Sequence, residues 1–115
     1  MSESLDSFIS TYVNAAEGYA RCIMSGDAKK GDRFFDEIEK VFLSIRKLGD
    51  EGLDGLSGLL VHQSEGVRLW AAAHLLNYPR YHSEQVLKTI IGSGTVLGLT
   101  AEITLDQWKN GMLKY

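Results

Sequence analysis

The feature that most constrains this chain is the apolar stripe at its start. Leu5, Phe8, Ile9, Tyr12, Val13, Ala16, Tyr19, Ala20, Ile23 and Met24 recur at steps of three and four residues. That period gathers them on one side of an α-helix, whereas a half-buried strand would alternate at every second residue. A helix with one greasy side gains most of its stability from whatever covers that side, so the rest of the chain has to supply packing partners. Only one proline, Pro79, interrupts the sequence. Long stretches free of turn residues point to more helices rather than to a sandwich of strands.

Punctuation along the chain marks those helices. Ser4 is a candidate cap for the first, and Ser25-Gly26 closes it, with Gly26 able to take a left-handed conformation. Asp27 reads as the cap of a second helix with Ala28, Gly31, Phe35, Ile38, Phe42 and Ile45 on its apolar face, ended by Gly49. Gly31 lies on that face, where it would allow close approach to the first helix near Ala16. The polar face carries Arg33, Asp36, Glu37, Lys40 and Lys47, including an Asp36–Lys40 pair in the favourable order. Residues 50–62 form a short leucine-rich segment weakened by glycines. Ser64 caps a helix from Val67 to Tyr78, which Pro79 stops. Ser83 caps a fifth helix with Val86, Leu87, Ile90 and Ile91, and a last one starts near Thr100 with Ala101, Leu105, Trp108 and Met112. The alternative is a short strand within residues 86–99, where β-branched residues and glycines mix.

With 115 residues the expectation is one domain, residues 1–115, with a single core that needs neither disulfide nor metal. Cys22 is the one cysteine, and beside Ile23 and Met24 it reads as a small core residue. Met1-Ser2-Glu3-Ser4 lacks the basic and apolar regions of a leader, and no apolar run approaches a membrane span, so the expected location is cytoplasmic. Net charge is −3 and unevenly spread: residues 1–57 carry eleven acids against seven bases, residues 58–115 four against five. A mildly acidic chain is a poor match for nucleic acid, which wants a basic stripe.

Motifs that carry chemistry are missing. Gly92-Ser93-Gly94 is too short for a phosphate loop and follows a helix rather than a strand. His62, His74 and His82 lack partners at helical metal-site spacing, and His74 reads as a satisfied core histidine. Acids cluster at Asp32, Asp36, Glu37 and Glu39, and again at Asp50, Glu51 and Asp54. Asp32, Asp36 and Glu39 can share one helix face. A two-carboxylate catalytic site needs one member buried, and these acids alternate with lysine and arginine, which favours a solvated face over catalysis. Exposed acid can still steer a basic partner. Arg68 is placed to bond carbonyls or carboxylates of a neighbouring helix. Trp70 and Trp108 read as core residues, with a partner surface as the alternative.

Ser64-Glu-Gly-Val-Arg-Leu-Trp-Ala-Ala-Ala-His-Leu-Leu76 has the shape of the second helix of a HEAT-type repeat: a cap, a Val-Arg pair, then small residues that admit a close neighbour. Leu59-Leu-Val-His62 with Glu65–Leu76, and Ala101-Glu-Ile-Thr-Leu-Asp-Gln-Trp-Lys-Asn-Gly-Met-Leu113, resemble the bacterial family catalogued as domain of unknown function twenty-nineteen. Lys30-Gly-Asp-Arg-Phe-Phe-Asp-Glu-Ile38 is similar to that family's second helix, departing from it at Gly31 and Asp32, where alanine and asparagine are expected. The resemblance implies an all-α fold, an α-α superhelix or HEAT-like stack of about six antiparallel helices. It also implies a non-enzymatic immunity protein, without cofactor or metal, that blocks a cognate bacterial toxin domain of a contact-dependent or related system. The acidic half makes a basic nuclease the expected toxin. Asp32, Asp36, Glu37, Glu39, Asp50, Glu51 and Asp54 are the candidate contact residues of a monomer or weak dimer. The alternatives are a general helical adaptor, or an enzyme using the carboxylate cluster.

Overall fold

Helix α1 (Ser2–Ser25) follows the opening stripe for its whole length, and a two-residue turn then reverses the chain into α2 (Ala28–Lys47). The turn is built as its residues dictate. Gly26 takes φ +80°, the amide of Asp27 donates to the Cys22 carbonyl at 2.9 Å, and the Asp27 carboxylate accepts from the Lys30 amide at 3.1 Å. Gly49, at φ +71°, separates α2 from α3 (Asp50–Ser57), which tightens into a 3₁₀ turn at Gly58–Val61. Helix α4 (Glu65–Leu75) follows. A second 3₁₀ turn, Pro79–Tyr81, leads to α5 (Ser83–Gly92) and α6 (Leu97–Lys109). This computed structural model of the chain describes residues 2–113 and 115; Met1, from the stretch read above for a leader, lies outside them.

The architecture is all-α, a stack of three helical pairs: α1 with α2, the α3 segment with α4, and α5 with α6. No strand occurs among the described residues, so the mixed segment 86–99 is helical apart from its central turn. Helix α4 is the centre of the stack and touches α1, α3, α5 and α6. Every residue from Gly66 to Leu76 is buried except Arg68, which is why this helix is apolar almost all round. Arg68 stays at the margin and donates to the carbonyls of His62 (2.7 Å) and Gln63 (3.0 Å), tying α4 to the turn before it rather than to another helix. No helix among the described residues is long and apolar enough to cross a membrane.

Several local expectations need correction. The close approach to α1 belongs to Gly66, not Gly31. A Cβ at 66 would stand 2.7 Å from the Ala20 methyl and 3.1 Å from the Ala16 carbonyl oxygen, whereas one at 31 would meet only Cys22 at an ordinary 3.5 Å. Ser4 sits inside α1, which begins at Ser2. Helix α4 stops at Leu75 rather than Tyr78, and α6 starts at Leu97 rather than Thr100. His82 occupies the cap position of α5 in the left-handed region (φ 56°), and Ser83 becomes the first helical residue, buried with its hydroxyl unpartnered. Asp36 and Lys40 form no ion pair; the i,i+4 pair observed is Glu84–Lys88, at 3.2 Å. Trp70 is buried, while Trp108 is only half-buried beside Leu76, Pro79 and Ser83.

Candidate functional site

A polar chain runs through the core from α1 to α2 by way of α4. The Tyr12 hydroxyl lies 2.6 Å from Nδ1 of His74, and Nε2 of His74 lies 2.7 Å from a carboxylate oxygen of Glu39. Tyr12 and His74 are wholly buried, while the Glu39 side chain keeps 29% exposure. Burial lowers the His74 pKa from its usual value and outweighs the opposing pull of Glu39, with Arg46 adding to the lowering. The ring is therefore neutral at pH 7. A carboxylate can only accept, so Nε2 carries the hydrogen and donates to Glu39, and Nδ1 accepts from Tyr12. Burial, then the Glu39 charge, raises the Tyr12 pKa well above its usual value and keeps that hydroxyl protonated. The imidazole is clamped sideways as well: Phe42 stacks on it at 4.0 Å between centroids and 8° between planes, and Tyr115 meets it edge-on at 4.4 Å.

This chain has the connectivity of a hydroxyl–imidazole–carboxylate triad, but its hydroxyl end is sealed in the core. What reaches the surface is the carboxylate. Glu39 opens onto a groove between α2 and α6. One hollow of about 310 Å³ is lined by Phe35, Glu39, Gln107, Met112, Leu113 and Tyr115. It adjoins a second of about 270 Å³, with which it shares Phe35, Gln107, Leu113 and Tyr115. Trp70 and Ala73 of α4 and Thr100, Ile103 and Thr104 of α6 complete that second hollow. The spacing explains the walls. Phe35 and Glu39 are one turn apart on α2, and Thr100, Ile103, Thr104 and Gln107 follow i, i+3, i+4, i+7 on α6.

Two further features distinguish the groove. The Trp70 indole Nε1 is buried without a hydrogen-bond partner. Along the α6 side, Leu99, Ile103 and Met112 are each at least half exposed. Asp32, two turns before Glu39, lies close enough to Tyr19 to raise its pKa, after burial has done so and against the lowering effect of Thr100. Tyr115 closes one end of the groove, its backbone carbonyl accepting from the Asn77 amide at 2.8 Å and its phenol pKa raised by burial and then by Glu39.

The seven acids singled out from sequence separate into distinct environments. Asp32, Asp36 and Glu37 are exposed on α2. Glu39 departs from the solvated face expected for it, because α4 brings His74 against it. Asp50 and Asp54 are exposed but paired: an Arg80 nitrogen sits 3.0 Å from Asp50 and 3.6 Å from Asp54, and the Tyr81 hydroxyl donates to Asp54. Glu51 is exposed beside them. His74 is the buried, satisfied histidine that its apolar helix suggested. Tyr12, Phe35, Gln107 and Tyr115 were not singled out as site residues, and only their aromatic or amide character at helical spacing hinted at a shared groove. Comparison with protein-family models, with curated proteins and with solved structures finds no match to this chain.

Proposed function

We propose that this chain is a non-enzymatic binding protein that covers a surface of another protein, in the manner of an immunity protein blocking a bacterial toxin domain. The supporting observation is the α2–α6 groove, with a carboxylate in its wall and exposed Leu99, Ile103 and Met112 along one side. Apolar side chains left in water beside a concave surface mark a place where another molecule packs. The sealed Tyr12 end of the hydrogen-bonded chain favours binding over acid–base catalysis, because a substrate would have no path to the hydroxyl.

The toxin part of the reading rests on the resemblance carried by Leu59–His62, Glu65–Leu76 and Ala101–Leu113. In this reading the protein works in the cytoplasm, and a basic toxin domain such as a nuclease is the partner. Exposed Asp32, Asp36 and Glu37 speed its approach, and a tight complex buries about 1,200–2,000 Å². The test is capture of the product of the adjacent upstream gene by the tagged chain, followed by rescue of cells expressing that product's C-terminal domain. Capture with rescue supports the reading. Neither capture nor rescue rejects it in favour of a general helical adaptor.

A further inference from the structure

We propose that the Glu39 end of the groove is a receptor for an arginine side chain presented by the partner. The inference rests on the binding-protein reading and names the chemical group that enters. Four observations converge on it.

First, among the described residues no lysine or arginine pairs with Glu39, whose carboxylate is held in place by His74. One of its oxygens accepts from neutral His74, which is itself held by Tyr12 and stacked on Phe42. A neutral donor orients the carboxylate without offsetting its charge, unlike Arg80, whose single positive charge offsets one of the two at Asp50 and Asp54. Second, the walls suit a flat cation. Phe35 and Tyr115 offer aromatic surface, Gln107 an amide acceptor, and Met112 and Leu113 apolar contact for an aliphatic stem. A guanidinium stacks on aromatic rings while donating in its plane to a carboxylate, which a compact ammonium does less well.

Third, the basic groups among the described residues leave the place open. Arg46 is close to the His74 end, and its guanidinium already lies over the Phe42 ring, 5.7 Å from the centroid. It takes up a neighbouring ring in the arrangement proposed for the incoming residue. Fourth, Trp70 of α4 lines the adjoining hollow, so a segment that enters it lies against the indole. Exposed Ile103 and Leu99 on α6 would cover the apolar side of that segment. The groove thus matches a partner segment that presents an arginine at one end and apolar residues along its length.

A titration of the isotopically labelled full chain followed by NMR tests this, with n-butylguanidinium as the probe and n-butylurea and n-butylammonium as comparisons. The expected result is a saturable shift of the Gln107 side-chain amide and the Trp70 indole N–H with butylguanidinium. The Trp108 indole, which lines a different hollow, stays in place. Butylurea produces no saturable shift, and butylammonium binds several-fold more weakly. Glu39→Gln lowers the butylguanidinium affinity at least tenfold. Should that variant fold poorly, Gln107→Lys places an ammonium at the mouth and is expected to abolish the saturable shift in a folded chain. Shifts that never saturate, or that appear equally around Asp50 and Asp54, overturn the proposal, as does wild-type affinity in Gln107→Lys. Equal affinity for butylammonium overturns the choice of arginine. A chain that binds the probe as expected but captures no upstream gene product keeps the pocket and loses the toxin reading. Capture without probe binding does the reverse.

Discussion

Glu39 and the Asp50–Asp54 pair are the same chemistry in two settings. Glu39 stands in the middle of α2, part-exposed, against a histidine that is wholly buried; Asp50 and Asp54 stand in solvent with Arg80 across them. In water, charge pairs are screened and their long side chains lose freedom on pairing, so such contacts add little to stability. Beside a buried ring, the same carboxylate satisfies a donor that would otherwise be stranded, and the loss of either partner leaves a polar group unpaired in the core. The comparison also separates two kinds of acidic surface. At Asp50 and Asp54 one of the two negative charges is offset by Arg80, whereas among the described residues no lysine or arginine pairs with Glu39.

Substitutions can break this contrast, beginning with the histidine. His74→Ala removes a stacked ring and strands both Tyr12 and Glu39, so it should lower unfolding free energy by about 3–5 kcal/mol in urea melts. An effect no larger than that of a surface substitution would show that the buried chain contributes little. Glu39→Ala leaves the Nε2 hydrogen without an acceptor and should cost about 1–3 kcal/mol by the same measurement. Tyr12→Phe deletes only the hydroxyl and should cost about 1–2 kcal/mol, with the fold and the groove retained.

Acid sharpens the same point. The folded state lowers the His74 pKa below the ordinary 6.5, so as pH falls through 6.5 the unfolded chain takes up a proton that the folded chain refuses. Stability therefore drops with falling pH, by at most about 1.4 kcal/mol per pH unit for one proton, until the folded pKa is reached. Burial sets that shift, Glu39 opposes it and Arg46 adds to it, while Tyr12 and Tyr115 also face the ring. Urea melts just below pH 6.5 should show a shallower pH slope for His74→Phe than for the parent chain; equal slopes would place the acid sensitivity elsewhere. The smallest effect belongs to the solvent pair. Arg80→Ala should leave the unfolding midpoint unchanged, and a clear drop would mean that Asp50 and Asp54 are more tightly coupled to the fold than their exposure allows.

The helices and their pairing were legible in the sequence because the signals are local. The stripe from Leu5 to Met24 needs only its own periodicity to declare a helix. Asp27 caps α2 through an amide three residues away, and Gly26 and Gly49 take positive φ at turns that other residues avoid. His82 escaped that reading because a histidine can also enter the left-handed region, with nothing in its neighbours to announce it. The site was less legible. Periodicity places Asp32, Asp36 and Glu39 in one stripe and cannot tell them apart. Glu39 differs because His74, 35 residues further on, packs against it, and His74 is satisfied by Tyr12, 62 residues before it. Hydrogen-bond geometry, desolvation and the hollow between α2 and α6 all depend on which helices meet and at what depth. Sequence alone therefore determined the helices and the supply of acids; only packing decided which acid met a buried histidine and came to face a groove.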